Sequence, residues 1–528
     1  AEYMGNDLMF EAMKFLHKNS AKACALQSRW MKSNRLLSST ADERISEPTE
    51  FTNYLNSLTN YEKLGVPELA GMDSKDGLDL GRMRRLLQCL DNPHSKFMSV
   101  HIAGTKGKGS TAAFIASILR SEGYSVGCYT SPHLLSILER ITLGTSGDPV
   151  SSEDLTNLFH KIKPNLDKAI VNEKGNLTHF EILTATAFSL FADENVDIAI
   201  IEAGLGGARD ATNVILPSKL SCAVITTIGE EHLLALGGSL ETIAAAKAGI
   251  IKNNRPVILG GPFPPHIEHI IREKAANMNS LVISSNDAGS ASSLEAIRIP
   301  FQHCNVKIED KSYPHLSLEL PNLKLRMLGR HQLRNALTGA CTALHLRNEG
   351  WRVSNESIRE GLERANIPGR FQFLSAREAD AIGFSGMSVL LDGAHTKESA
   401  KAVAETVGYA YPEAEVVVVV AMATDKDHSS FAKEMLSGIR RLVGVVLTEV
   451  AVAGGSDRST PAVVLKGLWT EVAGDLDIES EIVDVDCVES CVVEVKRMVS
   501  CLSRNKEIVV VVTGSLHVVA SFLSLLQT

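Results

Sequence analysis

The stretch His101-Ile-Ala-Gly-Thr-Lys-Gly-Lys-Gly-Ser-Thr111 decides how this chain folds. The apolar run Phe97–Ala103 reads as a short buried strand, and Ser110–Glu122 reads as the helix that leaves it. Ala113, Ile115, Ile118 and Leu119 are the apolar positions of that helix. Between the two, Gly104, Gly107 and Gly109 allow a sharp turn that brings backbone N–H groups close to a ligand. The helix then opens with unpaired N–H groups and its positive dipole end at the same point. Lys108 adds a positive charge, and the hydroxyl of Ser110 or Thr111 is expected to touch a metal riding on phosphates. The pattern departs from the standard phosphate loop in one place, since Gly109 rather than Ser or Thr follows Lys108. A plain glycine turn is the alternative. The flanking strand and helix favour a nucleotide cradle built from Gly104, Thr105, Lys106, Gly107, Lys108, Gly109 and Ser110.

Working outward, strand and helix signals alternate. Strands are expected at Ser125–Ser131, Asp197–Glu202, Ser221–Thr227 and Arg255–Leu259, with helices such as Thr178–Asn195 and Ser239–Ile250 between them. Such alternation predicts an α/β fold with a doubly wound, mostly parallel sheet. Ala288–Leu328 alternates apolar and polar residues, which suggests antiparallel strands or an insertion. Helices at about His331–Glu349 and Asn355–Ala365 close this region. Pro368 and Gly369 in Ile367-Pro-Gly-Arg370 then mark a linker. A second series has strands at Ser388–Leu391, Glu415–Ala421, Leu442–Thr448, Glu481–Val485 and Glu507–Thr513, forming a smaller α/β domain. The expected division is residues 1–49 as an extension, 50–368 as the nucleotide-binding domain and 369–528 as the C-terminal domain.

Composition narrows the possibilities. At 528 residues the chain is too long for one core. A net charge of −9, with no basic patch interleaved with aromatics, gives no reason to expect nucleic acid. No apolar run approaches membrane-spanning length, so no membrane segment is expected. Nine scattered Cys point to reduced thiols in an intracellular compartment. Cys487 and Cys491 sit at helical spacing without further ligands and read as buried thiols rather than a zinc site. Met13–Ala41 is different in kind: Lys14, Lys18, Lys22, Arg29, Lys32 and Arg35 occur with no acidic residue among frequent Ser and Ala. That composition marks an organelle transit peptide, with a disordered basic tail as the alternative.

Ligands gather at strand ends in a doubly wound sheet. Ser131 closes one strand in Thr130-Ser-Pro-His133, Glu202 closes another before Ala-Gly-Leu-Gly-Gly207, and His232 follows a third in Gly229-Glu-Glu-His232. A hydroxyl, a carboxylate and an imidazole make a partial shell for a Mg²⁺ that also binds phosphates. Taken singly, each has a plainer reading: a cap, a buried ion-pair member and a loop residue.

Gly104-Thr-Lys-Gly-Lys-Gly109, Thr130-Ser-Pro-His133, Glu202-Ala-Gly-Leu-Gly-Gly207, Asp210-Ala-Thr-Asn213 and Lys247-Ala-Gly249 resemble the folylpolyglutamate synthase and dihydrofolate synthase family, within the wider Mur-type ligases. The likeness continues through Asn335, Pro368-Gly-Arg370, Asp392-Gly-Ala-His395, Asp425-Lys-Asp427 and Gly514-Ser-Leu-His517, covering roughly Phe51 to Thr528. The resemblance implies an ATP-dependent ligase that joins a pterin-linked carboxylate to glutamate, with Lys108 and His395 among its catalytic residues. It implies two Mg²⁺ ions on Ser131, Glu202, His232 and a carbamylated Lys247, and a monovalent cation besides. From the helix pattern alone, Lys247 would be a solvated residue. Asn335, Arg370 and Asp392 match positions that hold the nucleotide across the cleft, and His395 and Ser515 match positions associated with glutamate. Thr178, His179, Phe180, Glu181, Arg209, Asp210 and Ala211 match substrate-binding positions.

Thr178-His-Phe-Glu181 resembles the Thr-aromatic-Phe-Glu pattern of bifunctional bacterial enzymes and dihydrofolate synthases. Eukaryotic folylpolyglutamate synthases usually carry an Arg-containing Phe-Arg-Phe-type sequence there. The resemblance therefore implies a dihydrofolate synthase, monomeric and acting only on small molecules, in the mitochondrial matrix, with plastid or cytosol as alternatives. Polyglutamylation of tetrahydrofolates, or an inactive nucleotide-binding relative, are the competing readings. Three departures stand out: His179 where Tyr or Phe is common, Arg209 one place late, and Glu231-His232 where Asp-His is usual.

Overall fold

Runs of β-branched and apolar residues become parallel strands here because helices cover both faces of the two large sheets. A computed structural model describes residues 48–68, 70–71, 79–286, 290–309, 317–451, 458–502 and 506–527. Residues 47–528 make one compact unit, and residues 1–46, with the basic segment Met13–Ala41, lie outside the described residues. Among the described residues the strands form three sheets. The largest contains β1 (Met98–Ala103), β2 (Val126–Tyr129), β3 (Ile141–Leu143), β4 (Asp148–Pro149), β5 (Ile198–Glu202), β6 (Leu220–Ile225), β7 (Val257–Leu259) and β8 (Val282–Ser284). Its order is β4-β3-β2-β5-β1-β6-β7-β8; the β2–β3 and β3–β4 pairings are antiparallel and the others parallel. Ile198 and Ile200 of β5 pack into the core on one face, while Ala199 and Ile201 pack into the core on the other.

A second sheet of β9 (Ala291–Arg298), β10 (Phe301–Ile308) and β11 (Leu318–Leu325) is antiparallel, and it lies in the stretch that suggested antiparallel strands or an insertion. Cys304, Val306, Leu320 and Leu323 bury its inner face toward the helices Arg330–Asn348 and Asn355–Arg364. The C-terminal sheet holds β12 (Gln372–Phe373), β13 (Ser388–Leu391), β14 (Glu415–Val420), β15 (Leu442–Leu447), β16 (Glu481–Asp484) and β17 (Ile508–Thr513). Its order is β12-β13-β17-β14-β15-β16, parallel except at β12. Val416, Val418 and Val420 face one core there, and Val417 and Val419 the other.

Two boundaries move for physical reasons. The helix expected from Ser110 begins at Lys108, because Gly107 takes the cap position at φ +84°. The strand expected to reach Ser131 stops at Tyr129, where the chain leaves the sheet. Cys491 is buried in the C-terminal core, and Cys487 contacts the Ser490 hydroxyl at 3.2 Å. No described helix is long and apolar enough to cross a membrane.

Candidate active site

The order β5-β1-β6 places the phosphate loop between two strand ends, which explains its glycines. A Cβ on Gly104 would stand 1.9 Å from Thr226 Oγ1, just past the end of β6. One on Gly107 would stand 2.4 Å from Asn335 Oδ1. Gly109, the residue that breaks the standard pattern, faces Glu202 at the end of β5: its Cβ would lie 3.4 Å from Glu202 Oε2. At Gly104 and Gly107 the loop is thus a close fit to neighbours as well as a turn, while at Gly109 a Cβ would make ordinary contact.

Lys108 lies over this loop. Its Nζ is 3.7 Å from Glu202 Oε1 and donates to the Thr105 carbonyl at 3.4 Å. Glu202 is 4% exposed and accepts from the Ser131 N–H at 3.1 Å. Burial raises its pKa against the pull of Lys108, that N–H and Arg370. A carboxylate held so dry favours a cation beside it. Ser131 and His232 line the same cavity, with His232 on a loop at φ +55°. Among the described residues no three His, Cys, Asp or Glu side chains converge on one point. The donors therefore suit an ion that takes its remaining ligands from phosphate and water, as Mg²⁺ does.

Lys247 corrects the solvated reading. Its side chain is buried, 4% exposed, and its Nζ donates to the Gly104 carbonyl at 2.9 Å. Burial, aided by Lys108, lowers its pKa to about 7. A large share of this amine is therefore uncharged near neutrality, the form that can take up CO₂ as a carbamate.

Asn335 is buried beside the loop and donates to Gln332 Oε1 at 2.9 Å, and Gln332 reaches Ser110 Oγ at 3.2 Å. Across the cavity stand the strand ends of the C-terminal sheet. Asp392, after β13, accepts from the N–H groups of Phe371 and Ala394, both at 2.9 Å. Burial raises its pKa, while Arg370 beside it pulls the other way. His395 Nδ1 contacts the Gly393 carbonyl at 3.0 Å. A carbonyl only accepts, so Nδ1 carries the proton and Nε2 keeps its lone pair. Burial pushes this imidazole down to about 4, so it is neutral at pH 7. Ser515, after β17, caps the helix Leu516–Ser524 through the Val518 N–H at 3.2 Å.

Thr178 caps the helix His179–Asp193 in a reciprocal box with Glu181. Glu181 accepts from the Thr178 N–H and hydroxyl, both at 2.9 Å, and from Arg82 Nε at 2.9 Å. Its carboxylate is thus committed to the wall. Phe180 lies against Gly204, where a Cβ would stand 2.5 Å from the ring, and 6.0 Å from the Tyr129 ring. His179 is lowered to about 4 by burial and by Arg140, and its Nδ1 has no hydrogen-bond partner among the described residues. Asp210 organises its own loop, accepting from the N–H groups of Leu205 at 2.7 Å and Thr212 at 3.0 Å. Arg209 and Ala211 line the cavity beside it.

Thr105–Ser110, Ser131, Thr178–Glu181, Glu202, Arg209–Ala211, His232, Asn335, Asp392, His395 and Ser515 line one cavity of about 2480 Å³ between the two large sheets, whereas Gly104 and the buried Lys247 bonded to it are not among its lining residues. That is room for more than one drug-sized ligand. Sequence reasoning missed its braces. Arg140 grips Glu62 through two hydrogen bonds of 2.8 and 2.6 Å and donates to His133 Nδ1 at 2.8 Å. Arg458, from the C-terminal half, donates to the carbonyls of Glu62 and Lys63. Glu62 and Lys63 lie far in sequence from Arg140 and Arg458, and no local pattern links them.

Comparison with known proteins agrees with this geometry. Residues 102–343 match the Mur ligase middle domain, and residues 378–525 match the dihydrofolate synthetase C-terminal domain. The dihydrofolate synthase/folylpolyglutamate synthase of Bacillus subtilis is 36% identical over 358 residues, 67% of this chain and 78% of its own. The solved folylpolyglutamate synthase of Thermotoga maritima superposes with a TM-score of 0.71 at 27% identity, covering 91% of this chain and 97% of that one. That of Mycobacterium tuberculosis, solved with ADP and AMPPCP, gives 0.72 at 25% identity over 85% and 95%.

Proposed function

We propose, from the premise that the chain belongs to the dihydrofolate synthase/folylpolyglutamate synthase family, that it joins 7,8-dihydropteroate to L-glutamate at the expense of ATP. The observation that carries this choice is Thr178-His-Phe-Glu181 on the cavity wall, with Phe180 in a slot that only Gly204 leaves open. A flat ring between Phe180 and the cavity would stack there. The match of residues 378–525 to the dihydrofolate synthetase C-terminal domain supports the same reading.

The chemistry follows from the walls. A carboxylate is a poor acceptor for an amine, so one of its oxygens first attacks the γ-phosphorus of ATP and ADP leaves. Lys108, at the helix N-terminus, offsets charge on the transferring phosphoryl group. Mg²⁺ would be held by Ser131, Glu202 and His232, and Lys247 as a carbamate would add an anionic oxygen ligand; the ion supplies charge neutralisation on the phosphates. The glutamate amine then attacks the acyl carbon, loses a proton, and phosphate departs. His395 Nε2 is the free acceptor on the C-terminal wall that can orient that amine, with Ser515 nearby on the same wall. Enclosure between two sheets keeps water from the acyl phosphate. The transit-like composition of Met13–Ala41 supports a mitochondrial location, with plastid and cytosol as the alternatives.

The test is product identity. Purified protein given ATP, Mg²⁺, glutamate and dihydropteroate should yield a product one glutamyl residue heavier, and tetrahydrofolate should compete poorly. Extension of tetrahydrofolate with no use of dihydropteroate would replace this reading with polyglutamylation.

A further inference from the structure

Lys106 stands in the phosphate loop, yet its ammonium is engaged outside it. At the backbone it is pinned to the end of β6: its N–H donates to Thr227 Oγ1 at 3.0 Å, and its carbonyl accepts from Thr226 Oγ1 at 2.7 Å and Thr227 Oγ1 at 3.1 Å. At the other end the Nζ crosses the cleft and donates to the hydroxyl of Thr396, in the C-terminal half. It also lies 3.3 Å from Glu231 Oε1 and 4.0 Å from Glu398 Oε2. Thr396 is the N-cap of the helix Lys397–Ala410, and it follows His395 directly.

This placement does not serve the helix. A cation at a helix N-terminus is opposed by the helix dipole. Glu398 in the first turn is 74% exposed and offsets little of that. Glu231, at 27% exposed, is the better counter-ion. Glu231 is also the residue that departs from the usual Asp-His pair, and the longer carboxylate is what meets Lys106.

We propose that Lys106 is a positioning residue: a strut, held by Glu231, that fixes the distance between the phosphate loop and His395. Nucleotide entering the loop would then be felt at the wall that orients the amine. The substrate named for that wall rests on the ligase reading above, whereas the strut itself is testable without turnover.

The test is hydrogen exchange at the amides of residues 395–399, with and without ADP, in wild type, Lys106→Met, Lys106→Arg and Glu231→Gln. ADP should slow exchange there in wild type and Lys106→Arg but not in Lys106→Met or Glu231→Gln. The Kd for ADP should stay within about threefold, since Lys108 and the backbone still hold phosphate. In turnover, the KM for glutamate should rise roughly tenfold in Lys106→Met, as misplacement of a reacting group commonly costs that much or more. Equal protection in wild type and Lys106→Met, or none in wild type, would overturn the strut. So would a loss of ADP affinity in Lys106→Met with glutamate KM unchanged, which would make Lys106 a phosphate ligand only. If Lys106→Met fails to fold, Glu231→Gln and Lys106→Arg decide by the same readout. A wild type that protects as expected but ligates no pteroate acid would overturn the ligase reading and leave the strut standing.

Discussion

On the wall built by the eight-stranded sheet, buried ionisable groups gather near Lys108: Glu202 and Lys247 are each 4% exposed, Lys108 Nζ lies 3.7 Å from Glu202 Oε1, and its charge acts on Lys247. On the wall built by the six-stranded sheet, backbone N–H and carbonyl groups hold the polar side chains. Two N–H groups fix Asp392, a carbonyl fixes His395, and Ser515 caps a helix. The first wall is strained toward charge: burial raises Glu202 and lowers Lys247, so each gains when a counter-charge arrives. The second is set in place before any ligand comes. The contrast suits a reaction in which charge moves on one side while a nucleophile is only oriented on the other.

Substitutions test that contrast. Lys108→Ala should cost on the order of 10²-fold or more in kcat, the loss seen when one well-placed transition-state donor is removed. The fold should survive, because Lys108 serves the cradle and no core. Near-normal turnover would show that the first wall does not handle phosphoryl charge. Lys247→Ala should also lose most activity, and a short carboxylic acid such as acetate should restore part of it by supplying the missing anion. Full activity without any acid would remove the carbamate. Glu202→Gln should raise the Mg²⁺ concentration needed for half-maximal rate, since a hard cation loses a charged oxygen ligand. A magnesium titration that does not move would strike Glu202 from the ion's shell.

The smallest effect is expected away from both charged walls. Glu181→Ala should raise the KM for dihydropteroate more than those for ATP and glutamate. It should also cost about 1 kcal/mol of stability from the lost capping box. Thermal melts and steady-state kinetics on the same protein separate the two. Equal KM changes for all three substrates would leave Glu181 as a cap alone.

The doubly wound core was legible because its strands are short apolar runs ending in chemistry. Ser388–Leu391 falls where expected, and Glu415–Val420 and Ile508–Thr513 differ from expectation by one residue each. The antiparallel β3–β4 edge was not, since its strands are too short to carry a period. The helix Ser152–Asn172 runs through Pro164, a residue that by itself argues for a break. At the site, the phosphate loop announced itself by glycine spacing. The tight fit of Gly107 lay in Asn335, far along the chain and visible only in three dimensions. The burial of Lys247 was not legible in its helix, because a short run of Ala does not reveal which face is covered. The commitment of Glu181 to Arg82 and the grip of Arg140 on Glu62 depend on partners that no local pattern joins.

The central claim is that the carboxylate is phosphorylated on the first wall and attacked by glutamate from the second. Dihydropteroate labelled with ¹⁸O in both carboxylate oxygens tests it most directly, with the released inorganic phosphate read by mass spectrometry. An acyl phosphate passes one labelled oxygen to phosphate and keeps the other in the amide. The account predicts one ¹⁸O atom per phosphate released. Phosphate free of label, alongside normal amide formation, would contradict it.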